Sequence, residues 1–409
     1  MKTTDKKNPF RRLLLLACCQ LLGLLMAACG SKDKAGSTAG EHAPDQETTL
    51  TVYTWGDYFA PPVLERFTET TGIKIDYQVF ENTAELIGRV RSSPGKFDVI
   101  IADDSVIASM RDLSLLSKLD LGEIPNRAQL DEKFTGLPFD PKNELSLPYA
   151  WGTTLITYRT DKVDGQPDSW DLLWDERFKG KIIILDEGYE TLGMALLRRG
   201  FSLNTENPRE IEQGRNDLLE LFSRQDVRMG DYEMVRAELK AGTCWVAMNY
   251  SGDAALDAEN IPNVDFYVPK EGAPLWVDSF AITRDSRKRE AAHQFINFLL
   301  DPVQAAENTN FTYYSTPVKG ALPHVTPEIA GDERIFLPKE VMDRSAFYAP
   351  GKSERNLLIN TVMTEINKVW QARKKYRKRG NCLRHGSEQR NRGINQVGWQ
   401  SWHRRKIFQ

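Results

Sequence analysis

The chain has 409 residues, enough for two domains, and its 57 acidic and 54 basic residues give a formal net charge of −3. By count, the first twelve residues carry about +4, residues 371–409 about +11, and the body between them about −18. An acidic body suits cationic partners, although it can also serve solubility alone, and it argues against a nucleic-acid-binding protein. The five cysteines lack metal-type spacing, and we expect no disulfide framework.

The N-terminus has the pattern of an export signal. Basic residues precede an apolar run from Leu13 to Ala28, which is too short to span a membrane comfortably. Small residues before Cys29 resemble a bacterial lipobox, so we predict a lipoprotein signal peptide over residues 1–28 and lipidation of Cys29, which anchors the protein on a membrane surface. An ordinary signal peptide cut near Ala28 is the alternative. Residues 29–47 are predicted to be a flexible tether.

The ordered body begins with alternating strands and helices. Strands are predicted over Leu50–Thr54, Ile73–Phe80 and Phe97–Ala102, with helices over residues 61–71 and after Asn82. The order β-α-β-α-β implies a mostly parallel sheet with helices on both faces. In such sheets, ligands bind beyond the carboxyl ends of the strands.

A second run of α/β elements follows residue 150. Apolar strands are predicted over Thr153–Tyr158, Lys181–Leu185, Thr243–Tyr250 and Val264–Val268, and several helices lie between them. A further strand, Leu275–Ile282, is expected to return the chain to the first lobe.

We therefore predict two lobes, with the first crossing near Pro148–Gly152, just before the strand Thr153–Tyr158. The predicted boundaries are lobe 1 over residues 48–150 and 277–324, and lobe 2 over residues 151–276 and 325–370. Beyond that point the chain is basic and shows no apolar periodicity, so residues 371–409 are predicted to be a disordered tail. Contact with anionic lipid headgroups is an alternative role for this tail.

Acids and aromatic residues meet at three places in the predicted strands. Trp55-Gly56-Asp57-Tyr58 follows the first strand, Tyr250-Ser251-Gly252-Asp253 ends a later one, and Trp276-Val277-Asp278 lies in the returning strand. A carboxylate in an apolar strand is unfavourable unless a cation meets it. A buried ammonium group in turn needs carboxylates for its charge and aromatic faces for cation–π contact. The recurrence predicts one pocket for an organic cation.

Taken singly, each candidate residue also has an ordinary structural explanation, as a helix cap or as a core aromatic residue. Their shared position near predicted strand ends is what favours a common binding site. The candidate ligand-binding residues are Trp55, Asp57, Tyr58, Asp103, Ser105, Glu187, Glu190, Tyr250, Asp253, Trp276, Asp278 and Tyr314.

Six short motifs lie along the body of the chain. They are Tyr53-x-Trp55-x-Asp57-Tyr58, Thr71-Gly72-Ile73-Lys74, Phe97-Asp98-Val99-Ile100, Pro148-Tyr149-x-Trp151-Gly152, Pro269–Ala273 and Phe295–Pro302. Together they resemble the motifs of the bacterial spermidine/putrescine-binding proteins of ABC importers. The resemblance covers about residues 48–370 and implies a periplasmic-binding-protein type II fold. In that fold each lobe is a mostly parallel sheet flanked by helices, and hinge strands let the two lobes close over the ligand.

The resemblance also implies roles for individual side chains. Asp278 would hold an ammonium group, and Trp276 would pack against the alkyl chain of the ligand. Asp103, Ser105 and Tyr250 depart from the family pattern, which leaves open a different length preference or another ligand. The family's other aromatic and acidic positions match Trp55, Asp57, Tyr58, Glu187, Glu190, Asp253 and Tyr314.

The implied function is extracytoplasmic, in the periplasm or on the membrane surface. A monomeric, lipid-anchored receptor captures a polyamine of the putrescine or spermidine class and delivers it to ABC permease subunits, with no cofactor, metal or nucleic acid. A polyamine sensor that acts with a membrane signalling protein is an alternative in the same fold. Ferric ion is an alternative ligand, because Tyr313-Tyr314 resembles the tyrosine doublet of ferric receptors.

An enzyme is the remaining class of protein. Glu187 and Glu190 could serve as acid and base, but no nucleophile–base set or metal cluster accompanies them in the sequence. No glycine-rich dinucleotide fingerprint follows the first strand. We therefore expect no enzymatic activity.

Overall fold

The computed structural model describes residues 48–349, 351–352 and 354–373. The predicted signal peptide, the lipidation site at Cys29 and the tether lie outside the described residues, as does the predicted tail beyond residue 373. Within the described part of the chain, no helix is both long enough and apolar enough to cross a membrane.

The first α/β run follows the predicted order closely, because its signals are local. Helix α1 starts at Pro61 and ends at Gly72, which adopts a φ of 73°. Helix α2 is capped by the Asn82 side chain, which accepts a hydrogen bond from the Glu85 amide. The elements are β1 (Thr49–Thr54), α1 (Pro61–Thr71), β2 (Lys74–Val79), α2 (Thr83–Ser92), β3 (Val99–Ala102) and α3 (Asp104–Asp112).

The second run differs from the prediction in three places. The strand predicted over Thr153–Tyr158 is longer than expected, because Pro148–Gly152, to which the sequence assigned no element, belong to the same continuous 14-residue strand, β4. Strand β6 and helix α7 were not predicted. The elements are β4 (Ser146–Arg159), β5 (Ile182–Leu185), α4 (Gly188–Arg198), α5 (Pro208–Arg224), β6 (Arg228–Gly230), α6 (Tyr232–Lys240), β7 (Val246–Tyr250), α7 (Ser251–Asn260), β8 (Val264–Tyr267) and β9 (Pro274–Ile282).

The chain then returns to helices. A final helix, α12, lies over residues 354–373. It packs Ile359, Val362 and Ile366 into the same core as Trp170 and α4. The elements before it are α8 (Arg289–Leu299), α9 (Pro302–Thr312), α10 (Pro327–Ala330), α11 (Lys339–Met342) and β10 (Ala346–Phe347).

The strands follow the order β2-β1-β3-β9-β4-β7-β5-β6, with β10 paired to β9 and β8 paired to β4. The outer groups β2-β1-β3 and β7-β5-β6 are parallel. Between them, β4 and β9 pair antiparallel over Ser146–Thr153, and the rest of β4 pairs with β7. Both long strands therefore connect the two parallel groups, and each is fully buried or nearly so along its length.

Helices cover both faces of the first parallel group. Leu50 and Val52 on β1 face the core formed with Phe67 and Phe295, whereas Tyr53 belongs to a separate core on the opposite face. The second parallel group has its own core around Trp170 and Phe222. The carboxyl ends of β1, β3, β5 and β7 each lead into a loop or helix that carries candidate residues.

Candidate ligand-binding site

An acid in the middle of β9 forms the centre of the site. Asp278 is 5% exposed and lies opposite Ala150 of β4. The Tyr58 hydroxyl donates a hydrogen bond to its Oδ2 atom. Burial raises the pKa of Asp278 to about 7, the charge of Asp103 adds to that rise, and hydrogen bonds from Tyr58 and Trp55 oppose it.

Tyr58 is held from behind by a second tyrosine. The Tyr149 hydroxyl donates to the backbone carbonyl of Tyr58 at 2.7 Å, and the two ring centroids lie 5.3 Å apart. Trp55 packs its ring 4.3 Å from that of Phe80. The loop after β1 thus presents one phenol and one indole to Asp278 from a fixed frame.

Aromatic rings line the space beside Asp278. The Trp276 ring lies 5.0 Å from Tyr314 and 6.0 Å from Tyr250, in edge-to-face arrangements. Two glycines make this packing possible. A Cβ atom on Gly152 would lie 2.4 Å from the Trp276 ring, and one on Gly252 would lie 2.5 Å from the Tyr314 ring.

Asp253 is engaged by the protein itself. It accepts a hydrogen bond from the Tyr314 hydroxyl at 2.5 Å and pairs with Arg236 at 2.7 Å. The Arg236 Nε atom also contacts Asp257 at 2.6 Å. Burial raises the pKa of Asp253, and Tyr314 and Arg236 limit that rise. Asp253 therefore orients Tyr314 and carries little uncompensated charge.

A second acidic group lies at the start of α4. Glu190 is 8% exposed, and its Oε2 atom has no hydrogen-bond partner among the described residues. Burial raises its pKa to about 8. Thr154 and Tyr348 lie close enough to lower that pKa, but neither hydroxyl has hydrogen-bond geometry towards it.

Glu187 occupies the N-cap position of α4 without making a capping hydrogen bond. Its surface remains accessible, yet the surrounding protein atoms remove much of its hydration. This desolvation raises the pKa of Glu187 to about 7, with further contributions from the charges of Asp103 and Asp186. Glu187 thus immediately precedes the helix whose first turn carries Glu190, and the charge of Asp103 helps to raise the pKa of both acids.

The two adjacent acids after β3, Asp103 and Asp104, have different environments. Asp103 caps α3, because its Oδ1 atom accepts hydrogen bonds from the amides of Ser105 and Val106. Ser105 is exposed, and its hydroxyl also donates to Asp103. Asp104 is 5% exposed, and its Oδ2 atom has no partner among the described residues. Burial raises the pKa of Asp104 well above its usual range, as do the charges of Asp103, Glu190 and Asp278.

The structure brings ten of the twelve predicted residues together. The other two, Asp57 and Ser105, are exposed. Asp57 is exposed, adopts a φ of 50°, and acts electrostatically on Tyr77 and Tyr232. Ser105 serves the cap of α3. Sequence reasoning missed Asp104 and Tyr348. The sequence did contain a signal for Asp104. Two acids, Asp103 and Asp104, stand side by side at the start of a helix, and only one of them can cap it, which leaves the other for a different role. The residues that converge are Trp55, Tyr58, Asp103, Glu187, Glu190, Tyr250, Trp276, Asp278 and Tyr314, with Asp253 behind Tyr314.

The converging acids lack a cation from the protein. In the described residues, no Lys or Arg nitrogen forms a salt bridge with Asp104, Glu187, Glu190 or Asp278, whereas Arg236 is committed to Asp253 and Asp257. Three of these four acids, Asp104, Glu190 and Asp278, are buried, and buried acids without a partner are unfavourable as carboxylates. The arrangement can therefore bind a multiply charged organic cation, which would supply the missing charge.

Two other features are less suited to a ligand of this kind. The hydroxyls of Tyr313 and Tyr314 contact different acids, Glu259 and Asp253, and no set of three metal-ligating side chains converges in the described part of the chain. A separate cavity of about 290 Å³ is lined by Phe134, Trp151 and Leu337, among others. It contains none of the converging acids, so we place the ligand at the acids and not in this cavity.

Known proteins are similar to this chain in both sequence and fold. The family described as bacterial extracellular solute-binding protein matches residues 63–336. A spermidine/putrescine-binding periplasmic protein of Escherichia coli (strain K12) is 32% identical over 303 residues, covering 73% of this chain and 86% of that protein. The chain belongs to the spermidine/putrescine-binding family of bacterial extracellular solute-binding proteins.

Two further members of this family extend the comparison. A putrescine-binding periplasmic protein of Pseudomonas aeruginosa (strain UCBPP-PA14) is 33% identical over 342 residues, covering 78% of this chain and 93% of that protein. The spermidine/putrescine ABC transporter substrate-binding protein of Streptococcus pneumoniae superposes with a TM-score of 0.72 at 29% identity, covering 79% of this chain and 99% of that one. The predicted α/β fold, of the periplasmic-binding-protein type II class, is confirmed.

Proposed function

We propose that this chain captures a polyamine of the putrescine or spermidine class outside the cytoplasm and delivers it to the permease of an ABC importer. One observation carries the proposal: buried acids with raised pKa values and no cationic partner among the described residues lie beside Trp55, Tyr58, Trp276 and Tyr314. Ammonium groups satisfy such acids, and the aromatic faces cover the methylene chain between them. The names of the family relatives point to the same ligand class.

Binding is proposed to close two lobes about β4 and β9. The proposed lobes are residues 48–150 with 277–324, and residues 151–276 with 325–370. Acids from both sides would then contact one ligand, with Asp278 and Tyr58 at one end and Glu187 and Glu190 at the other. Hinge closure of this kind couples ligand capture to a shape that a membrane partner can recognise.

The location and assembly state belong to the same proposal. Solute-binding proteins of this family are extracytoplasmic. We further propose removal of residues 1–28, lipidation of Cys29, attachment to the membrane surface through residues 29–47, and a monomeric receptor. A binding role needs no catalytic step, cofactor or metal.

Calorimetric titration tests the proposed function. The chain from residue 30 onward, which lacks the proposed signal and lipidation site, is titrated with putrescine, cadaverine, spermidine, spermine and a monoamine. Micromolar or tighter binding of a diamine or triamine, with the monoamine inert, is the expected result. If none of these amines bound, the proposed ligand class would be refuted.

A further inference from the structure

Asp104 is a buried acid to which the predicted site gives no role. It is the first residue of α3, and its Oδ2 atom is enclosed without a hydrogen-bond partner in the described structure. Its neighbours differ, because Asp103 caps the helix and Ser105 is exposed. A buried carboxyl group that lacks a partner is unfavourable unless a further group meets it. Its environment therefore points to a ligand group that the protein itself does not supply.

The backbone places Asp104 beside the centre of the site. Ala102, the last residue of β3, lies opposite Ser279, the neighbour of Asp278 on β9. Helix α3 begins two residues after Ala102 and also packs against β9. The Asp104 carboxyl interacts electrostatically with both Asp278 and Glu190. It thus lies within reach of the acids at both ends of the site.

Strand β4 provides a scale for the separation of those two ends. Ala150 lies opposite Asp278, and Thr154 neighbours Glu190. Four residues of extended strand span about 13 Å at about 3.3 Å per residue. Each bond of an extended alkyl chain advances it by about 1.25 Å, because the bond angles are tetrahedral, so the two nitrogens of a four-carbon diamine lie about 6 Å apart. A triamine with three further carbons has nine such bonds between its end nitrogens and spans about 11 Å, which is nearer to the separation of the two ends.

We propose that Asp104 binds the internal ammonium group of a triamine whose two ends lie at Asp278 and Glu190, and that it thereby makes the pocket selective for triamines over diamines. This inference rests on the proposed polyamine-binding function. The unpartnered Oδ2 of Asp104 and the unpartnered Oε2 of Glu190 accept hydrogen bonds from the internal and terminal nitrogens, respectively. The Tyr348 hydroxyl, which also lacks a partner in the described residues, lies near Glu190 and gives that end a further acceptor.

The experiment compares Asp104→Asn with the parent by calorimetric titration of spermidine and putrescine. The expected result is at least a tenfold loss of spermidine affinity and less than a threefold change for putrescine. Asp112→Asn is the matched control, because Asp112 ends the same helix, is exposed, and pairs with Arg111 on the surface. It should leave both affinities unchanged.

Thermal unfolding of the ligand-free variants separates a binding role from a structural one. Because Oδ2 has no partner in the described structure, Asp104→Asn should keep or raise the midpoint. A lowered midpoint would show that Asp104 supports the fold and would overturn the inference. Equal losses for both ligands, no loss, or tighter parental binding of putrescine than of spermidine would also overturn it. A parent that binds no polyamine would instead refute the proposed function itself.

Discussion

Tyr58 and Asp278 lie 220 residues apart in the sequence, and the tyrosine hydroxyl donates a hydrogen bond to the buried aspartate. The contact joins the loop after the first strand to the returning strand β9. Hydrogen bonds from Tyr58 and Trp55, and no cation of the described residues, act on the Asp278 carboxyl group. The site is therefore assembled around a carboxyl group that the protein orients but does not neutralise.

Replacing Tyr58 with Phe tests this orientation. The substitution keeps the ring but removes the Tyr58 hydrogen bond to the buried Asp278, so the free energy of unfolding should fall by about 1–3 kcal/mol. Urea unfolding measures this change. Tyr313→Phe is the control, since Tyr313 contacts Glu259 at the surface, and it should change stability by less than about 0.5 kcal/mol. Equal effects of the two substitutions would contradict the assigned role of Tyr58.

The raised pKa values predict how the stability of the free protein depends on pH. Glu190 has a pKa of about 8 in the folded protein, against an ordinary value of 4.5. Between these values the folded state holds a proton that the unfolded state has released. This contribution to stability is fully present below pH 4.5 and is lost as the pH rises through about 8.

Glu190→Gln should therefore flatten the decline of the unfolding free energy between about pH 5 and pH 8. Chemical denaturation at a series of pH values measures the slope. Glu365→Gln serves as the comparison, because Glu365 lies on the partly exposed face of α12 and pairs with Arg215. If the unfolding free energy of Glu190→Gln declined with pH as steeply as that of the parent protein, Glu190 would not be buried in its protonated form.

Gly152 sets the position of the central indole. A Cβ atom there would overlap the Trp276 ring at 2.4 Å, so Gly152→Ala should displace Trp276 and weaken polyamine binding by at least tenfold. Gly88→Ala in α2 is the matched control, because a Cβ atom on Gly88 would meet nothing within 4 Å. That control should retain affinity and gain roughly 0.5–1 kcal/mol of stability. Unchanged affinity in Gly152→Ala would mean that the ligand does not depend on Trp276.

Asp253 and Asp278 should respond differently to neutralisation. Asp253 already pairs with Arg236 and serves mainly to orient Tyr314. Asp253→Asn keeps an acceptor for the Tyr314 hydroxyl, so we expect it to lower polyamine affinity by less than about 1 kcal/mol, the scale of a neutral hydrogen bond. Calorimetry decides the point, and a loss as large as that of Asp278→Asn would show that Asp253 contacts an ammonium group directly.

Much of the fold could be predicted because its signals are local. Pro61 and Gly72 delimit α1, and the Asn82 side chain caps α2. The full length of strand β4 could not be predicted from local signals. Pro148 lacks an amide donor, which disfavours a central strand, but the pairing of β4 with β9 shifts register between Pro148 and Ala150 and so accommodates it. That partner lies more than a hundred residues away in the sequence.

The site shows the same division between local and remote information. Acids and aromatic residues near strand ends predicted the region, but residue type could not show which acids the protein neutralises. Arg236 on α6 pairs with Asp253 on α7. Helix α7 itself was missed because it begins with small residues that pack closely under Tyr314. Similarly, the start of α3 decides that Asp103 caps the helix while Asp104 is buried.

The most direct test of the account is the spermidine affinity of Asp278→Asn, measured by calorimetry beside the parent at one pH and salt concentration. Asp278 is the buried acid that the protein orients without a cationic partner from the described residues. Loss of its charge should weaken binding by about 2–5 kcal/mol, while the thermal midpoint of the ligand-free variant stays the same or rises. Equal affinity of variant and parent would contradict the central claim, because the ligand cation would then not lie at Asp278.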